Sequence, residues 1–245
     1  MHDIAITGIY FFFIALLYST VGHAGASGYL ATMALLSFPP GVMKPTALAL
    51  NIIVALVTSI RFYQAGHFSW RLFWPFALAS VPLAYLGGSL AIHTTAYKIL
   101  VGIALLFAAV HFILRNKVAS DQEEGINQPA MFASLATGGI IGFISGLTGV
   151  GGGIFLSPVL IILHWAGLRR TAAVAAVFIL FNSLSGLAGY LQKGGALPEH
   201  IALWSVAVVS GGLIGSSLGA TKLNSPVLRI LLGIVLVMAG MKLVI

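Results

Sequence analysis

The sequence predicts an all-α integral membrane protein, and three observations carry that expectation. Hydrophobic residues make up 59% of the chain and charged residues 7%, with a mean hydropathy of +1.06, whereas about a quarter of an ordinary soluble domain is charged. Apolar stretches follow one another between polar breaks along the whole chain. The alternating apolar and polar positions that the ~10-residue strands of a transmembrane β-barrel require are missing.

Taken in order, stretch 4–21 could pass for a signal peptide. Its leader, Met1-His2-Asp3, carries no Lys or Arg, and its tail has a counterpart later in the chain, so it belongs to the fold. Stretches 45–60, 72–92, 97–114, 130–147, 171–191, 200–220 and 227–245 approach the ~20 residues that cross a bilayer. By contrast, 26–38 and 154–166 hold about 13 residues each, the length of half-helices or re-entrant segments. The expected architecture is about eight transmembrane helices plus two short re-entrant or half-helices. The chain has no cysteine, which excludes disulfides, thiolate metal sites and sulfur nucleophiles. A pI near 9.9 could suggest nucleic acid, but the basic residues are scattered over short loops without a patch, so the lipid bilayer is the expected partner and nucleic acid is not.

The chain repeats itself. Gly22-His23-Ala24-Gly25-Ala26 aligns with Gly149-Val150-Gly151-Gly152-Gly153, the segment opening Lys98 to Gly102 with Arg229 to Gly233, Gly87-Gly88-Ser89-Leu90 with Gly215-Ser216-Ser217-Leu218, and Tyr63-Gln64 with Tyr190 to Gln192. Blocks in one order at a near-constant offset indicate a duplication. Residues 1–114 form the first transmembrane repeat, 130–245 the second, and 115–129, with Asp121, Glu123, Glu124 and a closing proline, a solvated linker. Five stretches per repeat is an odd number, so the second copy is expected upside down relative to the first. Arg61, Arg71, Arg115, Lys117, Arg169, Arg170, Lys222 and Arg229 fall on one set of loops, against Lys44, Lys98, Lys193 and Lys242 on the other. By the Lys/Arg bias the first set, with the linker, is cytoplasmic, and both termini of this multi-pass protein of the cell (inner) membrane lie outside.

The densest glycine run lies in "SGLTGVGGGIFLSPVL", residues 145–160. Each glycine inside a helix costs about 1 kcal/mol relative to alanine, so an unbroken helix through Gly149, Gly151, Gly152 and Gly153 would sacrifice several. The helix is therefore expected to stop there. Broken backbone survives in the apolar layer only where protein or a water-filled cavity satisfies it, so the run should line a cavity. Glycines spaced by four, Gly138, Gly142 and Gly146 and likewise Gly211, Gly215 and Gly219, fit close helix packing instead. The short stretch after each run would aim exposed N–H groups and its positive dipole end inward, a setting for an anion. No carboxylate falls deep in an apolar stretch, which leaves a cation substrate without a counter-charge. An inverted duplication with short Gly-interrupted segments in equivalent places is the pattern of a secondary transporter binding its substrate near the midplane.

Candidate binding residues are Gly22, His23, Gly25, Ser27, Asn51, Thr148, Gly149, Gly151, Gly152, Gly153 and Asn182. Asn51 and Asn182 fall in corresponding stretches, slightly offset, where an amide needs partners; hydrogen bonding between helices is the alternative. Thr20, Ser27, Thr148 and Ser157 border the glycine runs and could donate to substrate oxygens or cap helix ends. His23 could couple proton movement to anion movement, or be a neutral structural histidine. Arg61 could pair with an anion or snorkel, with Gln64 and its echo Gln192 beside it. His67, His93 and His200 lack ligand spacing, so no metal site is expected, and no cofactor.

The glycine runs with their "GxGGG…P" element at Gly149 to Pro158, the degenerate copy at Gly22 to Gly28, the short apolar pieces after them and the closing Arg229-xxx-Gly233 helix resemble the sulfite exporter TauE/SafE family over nearly the whole chain. That resemblance implies a transporter of a small anionic substrate such as sulfite, a sulfonate or sulfoacetate. His23 and Ala24 stand where the second copy has Val150 and Gly151, so the two half-sites should differ chemically. An intramembrane enzyme using His23 with Ser19 or Ser27 remains an alternative, lacking an orienting carboxylate, as does a cation channel or exchanger built on backbone carbonyls. Nothing in the sequence specifies an oligomeric state.

Overall fold

The computed structural model describes residues 4–20, 24–114, 129–219 and 226–245. Among these residues the chain is helical throughout, without strands: α1 (Ile4–Thr20), α2 (Ala26–Leu35), α3 (Pro40–Gln64), α4 (Trp70–Ser89), α5 (Thr94–Leu114), α6 (Met131–Thr148), α7 (Gly153–Ile162), α8 (Leu168–Gln192), α9 (Ile201–Gly219) and α10 (Pro226–Val244). Four of them, α3, α4, α6 and the Arg169–Gln192 part of α8, are long and apolar enough to cross a membrane by length and composition. The two short stretches form helices of 10 residues each, about 15 Å at 1.5 Å per residue, half of a ~30 Å hydrocarbon core. Helix α3 starts before the apolar stretch that announces it, because Pro40 fits its first turn, where a missing N–H costs nothing. The linker falls outside the described residues up to position 128.

The two halves share their backbone punctuation. Gly25 (φ 95) matches Gly152 (φ 81), Ser37 (φ 61) matches His164 (φ 54) and Gly66 (φ 73) matches Gly194 (φ 83), at sequence offsets of about 127 or 128 throughout. Packing repeats as well. Helix α4 packs most extensively on α6 and α1 on α9, while α3 meets its equivalent α8 and α5 its equivalent α10. Gly102 approaches Gly240 while Gly233 approaches Ile113 and Ala109, so α5 and α10 run antiparallel. Helices α3 and α8 also run antiparallel, since Leu48 lies against Gly186 and Lys44 over Tyr190.

Glycine stripes bring the crossed helices to backbone distance. A Cβ on Gly138, Gly142 or Gly146 would overlap the carbonyl oxygen of Phe76, Ser80 or Ala84 in turn, a four-residue register on both helices. Gly211 and Gly215 stand in the same relation to Phe12 and Leu16 of α1; Gly219 lies outside the described side chains. This is the small-xxx-small arrangement in which helices associate without a hydrophobic driving force. Around this core the outer faces carry large apolar side chains in the open, among them Phe132 (83% exposed), Ile140 (64%) and Val206 (64%), a surface suited to acyl chains rather than water.

One charge is misplaced by the sequence reading. Lys44, grouped above with the sparser loop charges, lies within α3 and is buried.

Substituting Gly146→Ala should lower the melting temperature in detergent by several degrees, for an overpacking cost of about 1–3 kcal/mol. Gly41→Ala, in a helix position with nothing within 4 Å, should leave it unchanged or slightly raised. Equal melting of the two variants would contradict the backbone contact.

Candidate functional site

Helix α6 stops because its last residues turn their bonds inward and the chain then goes left-handed. Gly149 N donates to Ser145 O at 2.8 Å, Thr148 Oγ1 donates to Ile144 O at 2.7 Å, and Val150 N donates to Thr148 Oγ1 at 3.4 Å. Gly149 (φ 87), Gly151 (φ 83) and Gly152 (φ 81) all occupy the left-handed region, where L side chains cost about 1–2 kcal/mol each. The Gly152 carbonyl then accepts from Phe155 N and Leu156 N, both at 3.1 Å, and α7 begins. No side chain caps that start. The amides of Gly151, Gly152, Gly153 and Ile154 have no acceptor among the described residues. They are the orphan donors of a helix N-terminus, carrying its partial positive charge.

Polar side chains of α3 and α8 converge on this turn. A Cβ on Gly151 would lie 2.5 Å from Asn51 Nδ2 and 3.2 Å from Ser183 Oγ. Asn51 Nδ2 donates to Val150 O at 3.4 Å. Asn182 Nδ2 donates to Phe178 O of its own helix at 2.8 Å. Asn51 Oδ1, Asn182 Oδ1, Ser183 Oγ and Ser145 Oγ are buried without a hydrogen-bond partner, and all four residues are 0% exposed. Leaving such a group unpaired costs about 1–3 kcal/mol, and two of these side chains, Asn51 and Ser183, lie beside the orphan amides. Apolar walls complete the turn: Ile179 closes on Gly151 and Gly153, and Phe178 and Ile141 on Gly152.

The equivalent turn in the first half is furnished differently. Gly25 precedes α2 with φ 95 and no side-chain cap. Ser27 Oγ donates to Tyr18 OH at 3.0 Å. Both Tyr18 and Tyr29 are buried, and the Tyr29 hydroxyl lies 3.0 Å from where a Cβ on Gly25 would be. Of the sequence candidates, Asn51, Gly149, Gly151, Gly152 and Gly153 gather at the α7 turn, with Thr148 engaged in local bonds and Asn182 bonded to the Phe178 carbonyl of its own helix. Gly22 and His23 lie outside the described residues. Arg61 sits at the far end of α3, donating from Nη1 to Ser217 Oγ at 3.1 Å, and Gln64 and Gln192 are exposed at helix ends. None of these three reaches the α7 turn.

Sequence reasoning missed Ser183, Ser145 and Lys44. A lone serine in an apolar helix carries no pattern; only the fold brings Ser183 to Gly151. Tyr97 was missed too: its hydroxyl donates to Thr148 O at 3.0 Å and ties α5 to the end of α6.

A helix broken inside protein and sheathed in exposed apolar side chains defines a multi-pass membrane protein. The chain belongs to the sulfite exporter TauE/SafE family, whose profile matches residues 8–243. It is 42% identical over 236 residues to the probable membrane transporter protein y4hK of Sinorhizobium fredii, covering 96% of each chain. It is 25% identical over 210 residues to a probable membrane transporter protein of Methanocaldococcus jannaschii (80% and 76% covered). Over 226 residues it shares 22% identity with the probable membrane transporter protein YunE of Bacillus subtilis (84% and 81% covered). No solved structure gives a significant match. Family and relatives are named as membrane transporters and not as enzymes, which sets aside the intramembrane-enzyme reading.

Gly151→Ala should destabilise the protein clearly more than Gly194→Ala. Both have φ 83, but a methyl at Gly194 meets nothing within 4 Å and at Gly151 it meets Asn51. The control should cost about 1–2 kcal/mol, and matching melting temperatures would mean that the Gly151 turn is not enclosed.

Proposed function

We propose that the protein is a secondary transporter that carries a small sulfur-containing anion, sulfite, sulfoacetate or another organosulfonate, across the inner cell membrane by alternating access. The observation that carries this reading is the α7 N-terminus, where four orphan amides meet the Asn51 amide and the Ser183 hydroxyl in a fully buried setting. Helix N-termini favour negative charge, and the donors gathered there suit the oxygens of a sulfo group. The only acidic side chain among the described residues, Glu199, is exposed, so nothing negative competes with an anion. The family name supplies the sulfur chemistry.

In this reading eight helices span the membrane, α2 and α7 reach only halfway, and the two repeats are inverted. The antiparallel pairing of α3 with α8 and of α5 with α10 supports the inversion. Both termini lie outside and the linker at 115–129 is cytoplasmic, following the Lys/Arg bias. Because Asn51, Ser183 and the glycine turn are buried, an anion enters only when one repeat rocks against the other, opening the seam on one side at a time. A second reading, a bound cation, is favoured by the unpaired Oδ1 atoms of Asn51 and Asn182; sodium uptake indifferent to the anion would select it.

Purified protein in liposomes should take up or release sulfite or sulfoacetate. Gly152→Leu should abolish that flux, since the side chain would drive into Phe178. Asn51→Asp should reduce it at least tenfold, by setting a carboxylate against the anion's place. Flux of none of these anions, with wild type and Gly152→Leu alike, overturns the proposal.

A further inference from the structure

Lys44 is the one buried Lys or Arg among the described residues, 6% exposed. A buried ammonium is normally paired with an opposite charge, because leaving it alone in a poorly solvated interior is expensive. The partners of Lys44 are all neutral. Its Nζ donates to the carbonyls of Gly87 at 3.2 Å, Gly88 at 2.8 Å and Leu90 at 3.3 Å, and it sits 5.7 Å from the centroid of the Tyr190 ring. The end of α4 contributes its partial negative charge and the ring a cation–π contact, but among the described residues no carboxylate is at hand: Glu199 is exposed and belongs to the loop before α9. A whole positive charge therefore remains inside a transporter whose described interior holds no negative one.

The position of that charge is as telling as its isolation. A Cβ on Gly149 would lie 3.1 Å from Lys44 O and 3.3 Å from its Cα, so Lys44 is a wall of the glycine turn. Asn51 follows about two helical turns, roughly 10 Å, further along α3. The side chain of Lys44 runs from that wall to the carbonyls at the end of α4. The duplicated half has Ala172 at the matching position of α8, so the charge is not part of the shared scaffold.

We infer that Lys44 is the binding cation of the anion's route: its ammonium exchanges the three α4 carbonyls for the oxygens of the substrate's sulfo group as the anion moves to or from the α7 turn. This rests on reading that turn as the anion site. The carbonyls hold the charge ready while the site is closed, and a soft set of neutral acceptors releases it more readily than a carboxylate would. Without an anion, moving the ammonium off those carbonyls leaves it unpaired; with one, the move is neutralised.

The test uses the full-length protein in detergent, with sulfite and sulfoacetate as probes and chloride as control, read by titration calorimetry and by the ligand-induced rise in melting temperature. Lys44→Gln keeps an N–H donor for the carbonyls and removes the charge; Lys44→Arg keeps the charge; Lys44→Met removes both and serves if either of the others fails to fold. Lys44→Gln should bind the probes at least tenfold more weakly while melting close to wild type without ligand, and Lys44→Arg should recover most of the affinity. If Lys44→Gln and Lys44→Met bind as wild type does while Gly152→Leu does not, Lys44 is a helix cap alone and the inference is overturned with the site intact. If wild type binds neither probe, the α7 site falls and this inference with it.

Discussion

Everything in this fold answers to one constraint: a main chain that leaves the helix inside an apolar layer must have its polar groups enclosed by protein. The left-handed turn from Gly149 to Gly152 satisfies it through the glycine stripe that precedes it. Gly138, Gly142 and Gly146 press α6 onto the carbonyls of α4, and the stripe ends at the residue that also touches Gly186 of α8. The break is thereby delivered into a corner formed by α3, α4 and α8. Tyr97 of α5 closes it from another side through the Thr148 carbonyl. Packing glycines and breaking glycines, two or three residues apart, do opposite work, and the second depends on the first.

That enclosure changes the value of every polar group near the turn. In water, the amides of residues 151–154 and the side chains of Asn51 and Ser183 would be solvated and unremarkable. Inside, their partial charges act through a low effective dielectric, and the one full charge nearby is positive. On the proposed function, an interior with donors, a helix N-terminus and an ammonium, and with its only described carboxylate at the surface, suits an anion.

Hydropathy made most of the fold legible: each apolar stretch became one helix, and the two short ones became the two half-length helices. The left-handed turn was legible because contiguous glycines have no packing explanation, while glycines spaced by four do. Asn51 could be picked out because an amide in an apolar stretch is rare. What the sequence hid is what depends on register between distant helices. Lys44 looked like a loop charge because Pro39, Gly41 and Pro45 surround it, yet α3 starts at Pro40 and runs on through Pro45, a proline inside the helix. Ser183 has no local signature. Asn51 and Asn182 fall in corresponding stretches but slightly offset, since the shared offset of the two halves sets Asn51 against Ile179 and Asn182 against Val54.

That offset also explains why two copies of one unit do not make two equal sites. At the first turn stand Tyr18 and Tyr29, whose counterparts in the second half are Ser145 and Leu156. The phenol rings fill the space beside Gly25 and Gly28, whereas the smaller residues leave the second turn to polar groups from other helices. Those groups are departures from symmetry as well: Asn51 answers to Ile179, Ser183 to Ala55 and Lys44 to Ala172. Each breaks the repeat in the same direction, toward donors and positive charge at the α7 turn. On the proposed function, an anion at that turn would share the cost of the three polar groups, which come from two different helices.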